Sequence, residues 1–463
     1  MYTEKEIAEL KKYAVKHICP HYAVNQDMDR DPKVYVKSEG NYVFDIEGRK
    51  YLDTFGSLLT TVCGHNNMEI IDAIYEQIKV LDFFPNFGDH YCLPMVELAK
   101  LLETIAPEGL SAYFFVNSGS EANETALKIA RSYHVERGES KRYKVVSRHG
   151  SYHGTTLAVT AATGLPWFGE KYTPMSNPGM LKAPAADCAH CELHENCKTC
   201  GLKCLEAMEQ LIVENDPETI SAVIMDPLPG SNSGYPVAPD GYLQGVRELC
   251  DKYGILLIFD EIQTGFGKSG EWFVAQHFGV TPDILTASKA ISNGYIPLGV
   301  TMMRQDIYEL FRSAPGKELR SGSTFGGHNV ACAAAIATIR YIQKNDLLAH
   351  GRAISEYIQK KVHGLMEKYP FLYRLSGVGL LMAIELSAER GRFCPFENPG
   401  EIGGFINRYC YEHGMIIRNN CYQQADIIVI APPLSFTEIE VNEMVAGLDQ
   451  ALAAAQETFS IDI

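Results

Sequence analysis

Two residues of the sequence combine the chemistry that an aldehyde cofactor needs. Lys289 follows the apolar run Ile284–Ala287, and Asp260 follows the apolar run Ile255–Phe259, 29 residues earlier. A lysine amine can form a Schiff base with an aldehyde, and a buried aspartate can keep a pyridine nitrogen protonated. Each residue is predicted at the tip of a buried strand, where open α/β sheets bind ligands. The pair therefore predicts a pyridoxal 5'-phosphate (PLP) site, although isolated Lys and Asp residues are usually surface charges.

A Ser-Gly-Ser turn, Ser118–Ser120, links the strand-like run Ala112–Val116 to a helical pattern over Glu121–Arg137. The hydroxyls and free N–H groups of such a turn, with the partial positive charge of a helix N-terminus, suit a phosphate. The same residues also fit an ordinary helix N-cap with a glutamate in the first turn. Taken alone, the turn favours the cap.

The segment LLIFDEIQTGFGKSG, followed by PDILTASKAISNGYIPLG, closely resembles the cofactor core of the class III aminotransferases, also called the ω-aminotransferase family. The resemblance extends from about Tyr42 to Leu452 and rests on several spaced motifs. It implies an α/β protein of PLP-dependent transferase fold type I, with a mainly parallel, seven-stranded-type sheet in a large domain and a small α+β domain. It also implies transamination by a homodimer or a tetramer.

The resemblance assigns roles to individual residues. It implies that Gly119 and Ser120 hold the PLP phosphate, that Tyr152 stacks on the pyridine ring, and that Gln263 contacts the phenolic oxygen of the ring. Thr324 is expected to reach the phosphate of the neighbouring subunit's cofactor. The expected catalytic residues are Lys289 and Asp260, and the expected cofactor-binding residues are Ser118, Gly119, Ser120, Tyr152, His153, Asp226, Asp260, Gln263, Lys289 and Thr324. Without the resemblance, Tyr152 fits a packed core aromatic and the Thr324 loop fits a glycine-rich helix cap.

Two departures from the family pattern bear on the substrate. Ser231 replaces a glutamate of the family, and Val429 replaces the arginine that this glutamate gates in some members. A bidentate arginine is the usual clamp for a carboxylate, so its loss weakens the case for 2-oxoglutarate as the acceptor. Arg418 matches a mobile arginine of the pyruvate-using members and is the expected substrate-binding residue, with a surface charge as the alternative.

Composition limits the class of protein. The chain has 463 residues and a formal net charge of −16, which argues against a nucleic-acid-binding surface and an anionic membrane face. No apolar run approaches the roughly 18 residues of a membrane helix, and the N-terminus has no apolar signal-peptide core. Thirteen cysteines in a chain of this length are not a secreted disulfide framework. We therefore expect a cytoplasmic enzyme without nucleic-acid or membrane partners.

The elements that must position these residues alternate between strands and helices, which predicts βαβ units and a mainly parallel sheet. A first helix is expected over residues 3–18, another near Met68–Val80, and a long one from about Asn329. The chain is divided into an N-terminal segment (1–75) that contributes to the small domain, a large PLP-binding domain (76–335) and a C-terminal small domain (336–463). The predicted strands of the large domain are Ala112–Val116, Lys144–Arg148, Ala222–Asp226, Ile255–Asp260, Ile284–Ser288 and Leu298–Met303.

A cysteine-rich insertion, Cys188–Cys204, contains two Cys-x-x-Cys pairs and a fifth cysteine. The spacing within each pair is that of a metal knuckle. However, only five residues separate the pairs, which is shorter than in most zinc ribbons. We expect no metal here and interpret the cysteines as reduced structural or redox-labile thiols, with a structural metal as the alternative.

The combined hypothesis is a PLP-dependent aminotransferase that moves an amino group from an ω-amino acid or amine, with taurine and β-alanine among the candidates, to a keto acid, with pyruvate first. An amino-acid epimerase, an aminomutase or a decarboxylating transaminase would have the same cofactor residues. A PLP-sensing regulator needs a DNA-binding module of roughly 60–70 residues, for which the segment before Tyr42 lacks the room and the basic charge. A scaffold with a decayed site is opposed by the intact Lys289 and Asp260.

Overall fold

The computed structural model describes residues 2–23, 31–175 and 179–461. Residues 24–30 of the proposed N-terminal segment and residues 462–463 of the proposed small domain lie outside these ranges, as do residues 1 and 176–178. The strands are β1 (Tyr35–Glu39), β2 (Tyr42–Asp45), β3 (Lys50–Asp53), β4 (Leu110–Val116), β5 (Lys144–Arg148), β6 (Met180–Ala183), β7 (Ile220–Met225), β8 (Leu256–Asp260), β9 (Ile284–Ala287), β10 (Gly299–Arg304), β11 (Leu372–Val378), β12 (Leu381–Leu386), β13 (Met415–Ile416), β14 (Arg418–Tyr422) and β15 (Ala425–Ile430).

Helices connect and cover these strands. They are α1 (Glu4–His17), α2 (Met68–Val80), α3 (Leu93–Glu103), α4 (Gly119–Glu136), α5 (Leu157–Ala162), α6 (Pro166–Gly169), α7 (Lys203–Glu214), α8 (Tyr242–Tyr253), α9 (Val274–Phe278), α10 (Gln305–Arg312), α11 (Asn329–Lys344), α12 (Leu347–Lys368), α13 (Glu401–Glu412) and α14 (Glu438–Thr458). Within the described ranges, no helix is both long and apolar enough to cross a membrane.

The central sheet has seven strands in the order β4-β10-β9-β8-β7-β5-β6. The pairs from β9 to β6 are parallel, and β10 runs antiparallel to β4 and β9. The expected mainly parallel α/β sheet is therefore confirmed. Asp260 is the last residue of β8, and Lys289 lies just beyond the end of β9. Because neighbouring parallel strands end at the same edge, both residues lie at one edge of the sheet.

The middle strands are apolar on both faces because helices cover both sides of the sheet. Leu257 and Phe259 of β8 belong to one apolar core, whereas Leu256 and Ile258 belong to a second core. This alternation is the period of two that a strand imposes on its side chains. The sheet is therefore a rigid layer between two cores, and its polar groups are concentrated at the ends of the strands.

Two smaller sheets lie outside the large one. One is antiparallel, in the order β11-β12-β15-β14, and the other has the order β1-β2-β3-β13. Strand β13 pairs in parallel with β3, since Met415 lies opposite Leu52 and Ile416 opposite Asp53. The N-terminal strands are thus hydrogen-bonded to the C-terminal region.

Candidate functional site

Asp260 lies at the end of β8 with both carboxylate oxygens hydrogen-bonded, and it is 5% exposed. Its Oδ2 accepts hydrogen bonds from Asn123 Nδ2 at 2.7 Å and from His153 Nδ1 at 2.8 Å. Its Oδ1 accepts one from the Ile262 backbone N–H at 3.0 Å. These donors stabilise the charged carboxylate and fix its orientation.

Asn123 belongs to α4 and is fully buried. The Thr286 hydroxyl of β9 donates to Asn123 Oδ1 at 2.6 Å, so the amide of Asn123 is oriented from both sides. The Nε2 of His153, on the opposite side of that ring from Asp260, is buried without a hydrogen-bond partner. Asn123 is not among the residues that the sequence motifs predict. A buried amide on an otherwise apolar helix face is the signal that could have identified it.

Lys289 begins a single 3-10 turn, Lys289–Ser292, directly after β9. Its backbone has φ of 45°, a conformation that is strained for a lysine. The side chain is largely buried, and its amine makes no hydrogen bond within the part of the chain that the structure describes. Burial lowers the pKa of the amine to about 8, Asp260 opposes this, and Arg418 adds to it. A neutral amine is the reactive form of a lysine nucleophile.

The turn that contains Lys289 is fixed to a distant loop by Asn293. Its Oδ1 accepts hydrogen bonds from the backbone N–H groups of Val62 at 2.6 Å and Cys63 at 2.8 Å. Its Nδ2 donates to the Gly64 carbonyl at 2.9 Å. The loop after β3 and the lysine turn therefore form one hydrogen-bonded unit.

That loop contains four consecutive left-handed residues, Gly56–Leu59, with φ between 45° and 68°. Asp53 stabilises this unusual turn, because its carboxylate accepts hydrogen bonds from the N–H groups of Phe55 and Ser57 and from the Ser57 hydroxyl. His65 Nε2 lies 3.2 Å from the same carboxylate. Left-handed residues cost roughly 1–2 kcal/mol each, so the backbone here is held by these side-chain contacts.

The Ser118–Ser120 turn is both a helix N-cap and a turn with N–H groups that can bind an anion. The Ser118 hydroxyl accepts a hydrogen bond from the backbone N–H three residues later at 3.2 Å, so it caps α4. The N–H groups of Gly119 and Ser120, in the first turn, have no partner within the helix. A Cβ on Gly119 would collide with the Ile262 side chain at 2.7 Å. Glycine therefore allows close packing at a helix end that remains available to an anion.

Tyr152 lies in a loop that Asp226 and Arg148 support. The Tyr152 backbone N–H donates to Asp226 Oδ2 at 3.4 Å, and Arg148 Nη2 donates to Asp226 Oδ1 at 3.1 Å. Burial raises the pKa of Asp226, and the positive charge of Arg148 opposes that rise. The Tyr152 ring packs edge-on against Phe168 with centroids 5.0 Å apart. Arg148, which the sequence analysis did not identify, is thus a buried support for this loop.

Arg418 begins β14 and lies opposite Val429 of β15. Its Nη2 donates to Asn232 Oδ1 at 3.2 Å, and its guanidinium lies over the Phe55 ring at 5.6 Å. Its Nε is buried without a partner, and burial lowers its pKa. No acidic side chain in the described ranges forms an ion pair with Arg418. A buried cation with this environment can bind a carboxylate or another oxyanion.

Gln263 and Ser231 form one contact at the rim of the site. The Ser231 backbone N–H donates to Gln263 Oε1 at 3.2 Å, and Asn420 Nδ2 donates to the Ser231 carbonyl at 2.8 Å. Gln263 therefore lies beside the loop after β7 and directly follows the Asp260 turn. Val429 is fully buried in an apolar cluster with Phe55, so the position at which the family resemblance implies an arginine in some members is a core position here.

Thr324 belongs to a loop that contacts Asn117, the residue before the Ser118–Ser120 turn. It is exposed, and its neighbour Ser323 accepts a hydrogen bond from Asn117 Nδ2 at 2.5 Å within the same chain. Asn86 Nδ2 donates to the Gly326 carbonyl at 3.2 Å, which fixes the Thr324 loop to the segment after α2. The structure therefore brings the other predicted residues together and leaves Thr324 on the surface.

The chemistry of this centre fits PLP. The amine of Lys289 has no hydrogen-bond partner among the described residues, and the Asp260 carboxylate is fixed by donors, as an aldehyde and a pyridinium nitrogen would require. The open N-terminus of α4 suits a phosphate. In the described ranges, no group of three or more His, Cys, Asp or Glu residues is placed to hold a metal ion, and this includes the segment Cys188–Cys204.

Comparisons with known proteins agree with this chemistry. The family model for aminotransferase class-III matches residues 23–452. An uncharacterized aminotransferase of Bacillus subtilis is 36% identical over 91% of this chain and 92% of its own length. The taurine–pyruvate aminotransferase of Bilophila wadsworthia is 32% identical over 99% of this chain and 100% of its own length. The putrescine–pyruvate aminotransferase of Pseudomonas aeruginosa is 32% identical over 95% of both chains.

Solved structures give the same result. An (S)-enantioselective ω-transaminase from Thermomicrobium roseum superposes with a TM-score of 0.90 at 32% identity, covering 98% of this chain and 99% of its own. An ω-transaminase from Pseudomonas jessenii in complex with PMP superposes with a TM-score of 0.91 at 30% identity, covering 97% and 98%.

Proposed function

This chain belongs to the class III aminotransferase family and is a PLP-dependent transaminase of fold type I, and we propose that it transfers the amino group of an ω-amino acid or amine to pyruvate. Taurine and β-alanine are the first donors to test. The observation on which this rests is Arg418, a largely buried cation that has no acidic partner among the described residues and lies close enough to Lys289 to affect the pKa of its amine. The taurine–pyruvate and putrescine–pyruvate relatives support the choice of acceptor.

Lys289 and Asp260 are the proposed catalytic residues. Bound PLP supplies an aldehyde that accepts the donor nitrogen and a pyridine ring that withdraws electrons from the reacting carbon. Lys289 would hold the aldehyde through its Nζ, and the same Nζ, once released, would act as the general base that moves the proton of the donor carbon. Asp260, whose carboxylate is fixed by Asn123 and His153, would keep the ring nitrogen protonated.

The remaining predicted residues would hold the cofactor. Ser118, Gly119 and Ser120 would bind the phosphate at the N-terminus of α4, where the N–H groups of Gly119 and Ser120 have no partner within the helix. Tyr152 would stack on the ring, and Gln263, next to the Asp260 turn, would contact the phenolic oxygen. The residues that position these groups are His153, which bonds to Asp260, and Asp226, whose carboxylate supports the Tyr152 loop.

Arg418 binds the carboxylate of pyruvate. Asn232 is its single hydrogen-bonded protein partner in the described ranges, so an incoming carboxylate does not have to displace a protein carboxylate. Val429 lies directly across from Arg418 and is buried among apolar side chains. Position 429 therefore provides no second cation, so a dicarboxylate acceptor has no arginine at this position to bind its second carboxylate.

The active form is a homodimer. Large apolar side chains are exposed on α2 and on the loop that follows it, and monomers rarely expose a continuous patch of this kind. They are Met68, Tyr75, Ile78, Val80, Leu81, Phe84, Phe87 and Tyr91, with Leu93 at the start of α3. The Thr324 loop is hydrogen-bonded to this same segment through Asn86. Thr324 then lies at the subunit interface, where it reaches the phosphate in the partner's site.

A reducing compartment such as the cytoplasm is the proposed location, supported by thirteen cysteines that are all free thiols.

A panel of donors tests the proposed reaction. The holoenzyme is mixed with taurine, β-alanine, a diamine or an α-amino acid, and the visible absorption of the lysine-bound cofactor is followed without acceptor. We expect the ω-amino acids to bleach the band fastest and pyruvate to restore it. An epimerase would return the amine with inverted configuration and form no keto product, so product analysis separates the two reactions.

A further inference from the structure

Asn232 is the middle residue of a single 3-10 turn, Ser231–Ser233, that follows β7. It is partly exposed, whereas Ser231 and Ser233 on either side of it are buried. The turn is therefore packed into the protein through its serines and presents the side chain of Asn232 to accessible space. The Oδ1 of that side chain accepts a hydrogen bond from Arg418 Nη2 at 3.2 Å.

Contacts from both sides fix this turn. The Ser231 N–H donates to Oε1 of Gln263 at 3.2 Å, and Asn420 Nδ2 donates to the Ser231 carbonyl at 2.8 Å. Just beyond the turn, the Ser376 hydroxyl of β11 donates to the Gly234 carbonyl at 2.6 Å. The position of Asn232 is therefore set by a proposed cofactor residue on one side and by the small antiparallel sheet on the other.

Arg418 keeps donors available beside this turn. Alternate residues of a strand face the same side, so Arg418 and Asn420 of β14 both face the turn. The Phe55 ring lies against the guanidinium at 5.6 Å, and the Arg418 Nε is buried without a partner. A guanidinium presents its N–H groups along two edges, each of which can bind an oxyanion with two hydrogen bonds. The bond to Asn232 occupies at most one edge and leaves the other for a ligand.

Hydrogen-bond chemistry fixes the direction of the Asn232 amide. An arginine has donors only, so the amide atom that faces Arg418 must be the oxygen. The Nδ2 group then lies on the far side of the same amide, beside the guanidinium. It makes no hydrogen bond to another residue in the part of the chain that the structure describes. A neutral donor and a cationic edge are therefore placed side by side.

We propose that Asn232 is a specificity-determining residue, which donates to the third oxygen of a sulfonate bound at Arg418 and so favours an ω-amino sulfonate such as taurine over the corresponding carboxylate. A carboxylate has two oxygens in one plane, and an arginine edge binds both. A sulfonate has three oxygens arranged as a tripod, so its third oxygen needs a donor outside the guanidinium. This inference deepens the proposed function and rests on Arg418 as the residue that binds the anionic group.

Two anions without an amine test this subsite apart from turnover. Ethanesulfonate and propionate have the same ethyl group and the same charge, and calorimetry with the PLP-loaded enzyme measures the Kd of each. We expect Asn232→Ala to shift the ratio of the two Kd values against ethanesulfonate by roughly tenfold, the effect of one hydrogen bond to a charged group. Any loosening of Arg418 in this variant affects both anions and cancels in the ratio.

Two control variants separate the possible outcomes. Asn420→Ala removes a contact of the same turn without touching Arg418, so the ratio of Kd values should stay at the wild-type value. Arg418→Ala should weaken both anions. If it does so while Asn232→Ala leaves the ratio unchanged, the role of Asn232 is wrong and that of Arg418 stands. If Arg418→Ala binds both anions as the wild type does, or if the wild type binds neither, the proposed role of Arg418 fails together with that of Asn232.

Steady-state kinetics extend the test to the donors. Asn232→Ala should raise the KM for taurine roughly tenfold more than the KM for β-alanine, again by the loss of one hydrogen bond. The kcat values should change little, because the amide contacts a group remote from the reacting carbon and its contribution is the same in the ground state and the transition state. An equal fall of kcat with both donors, at an unchanged ratio of KM values, would show that Asn232 only supports the structure.

Discussion

At the scale of the residue, the hydrogen-bonding state of a buried lysine distinguishes a structural lysine from a reactive one. Lys182, Lys268 and Lys289 are all largely buried, and burial lowers the pKa of each amine, to about 7, 7 and 8. Lys182 donates to Ser147 and to two carbonyls of α5, and Lys268 donates to two carbonyls after β15. Lys289 has no acceptor in the described ranges, so its amine is available for chemistry.

Substitution of these lysines should separate activity from stability. Lys289→Ala should abolish turnover without lowering the free energy of unfolding, because no hydrogen bond is lost. Lys268→Ala should destabilise the protein by about 1–3 kcal/mol, since two buried carbonyls lose their donor. Denaturant unfolding of the two apoenzymes at equal concentration measures this. Borohydride reduction of the wild type, followed by peptide mapping, should label Lys289, and a label on either other lysine would refute the assignment.

The Asp260→Asn variant, in which a neutral amide replaces the carboxylate, should preserve the fold and lose most of the activity. A charge-assisted hydrogen bond to the pyridine nitrogen is worth about 1.5–3 kcal/mol, so kcat should fall roughly ten- to hundredfold or more. Glu261→Gln is a matched control. Glu261 is also buried, but it bonds to backbone N–H groups at the start of α9, so its loss should affect stability rather than selectively reduce kcat. An Asp260→Asn enzyme with near-native kcat would show that the aspartate is only structural.

The lowered pKa of Lys289 predicts how cofactor capture depends on pH. The neutral amine is the nucleophile, so the rate at which the apoenzyme captures PLP should rise with pH through about 8 and then level off. An ordinary lysine would keep gaining rate towards 10.5. Stopped-flow absorbance of PLP binding across this range measures the midpoint, and a midpoint near that of an ordinary lysine would contradict the role of burial.

At the scale of the element, the sequence predicted where the strands end. It did not predict which distant side chains hydrogen-bond to the groups at those ends. The apolar runs that end near Asp260 and Lys289 are strands β8 and β9 of the structure, because uninterrupted apolar runs are typical of strands buried on both faces. Asn123 and Arg148 could not be assigned, since their partners are 137 and 78 residues away. A single sequence contains no record of which distant groups meet.

The left-handed turn Gly56–Leu59 was also beyond prediction. Only Gly56 in this turn is a residue that readily adopts positive φ, whereas Ser57, Leu58 and Leu59 are held there by tertiary contacts. Asn293, which fixes the same loop to the lysine turn, contacts it across more than 200 residues of chain. Local propensity therefore predicted the scaffold, and tertiary hydrogen bonds determined the geometry of the site.

The paired strands β14 and β15 predict the choice of acceptor. Arg418 is the one cation of the cross-strand pair, since Val429 lies opposite it. A bidentate arginine contact is worth roughly 1.5–3 kcal/mol, so pyruvate should exceed 2-oxoglutarate about ten- to hundredfold in kcat/KM. Arg418→Ala should raise the KM for pyruvate more than it slows an uncharged amine donor. Steady-state kinetics with both acceptors measures this, and a clear preference for 2-oxoglutarate would contradict the inference from Val429.

At the scale of the whole molecule, the central question is whether Thr324 contributes to the cofactor site of its own subunit or to that of the partner subunit. Its loop is exposed and bound to the apolar segment after α2, which favours an interface with a second copy. Within the same chain, however, Ser323 contacts Asn117, the residue before the phosphate turn. The two geometries give opposite results when differently defective subunits are mixed, so the dimer itself can distinguish them.

Mixing Lys289→Ala with Thr324→Val subunits should restore activity. If Thr324 acts across the interface, each mixed dimer has one site with both defects and one site with neither. In a random mixture half of the dimers are mixed, so roughly a quarter of wild-type activity should appear above the activity of the two parents. If Thr324 acts within its own chain, every site keeps one defect and no activity returns. Differently tagged subunits, purified as mixed dimers, confirm the exchange, and a mixed dimer without regained activity would place Thr324 in its own subunit's site.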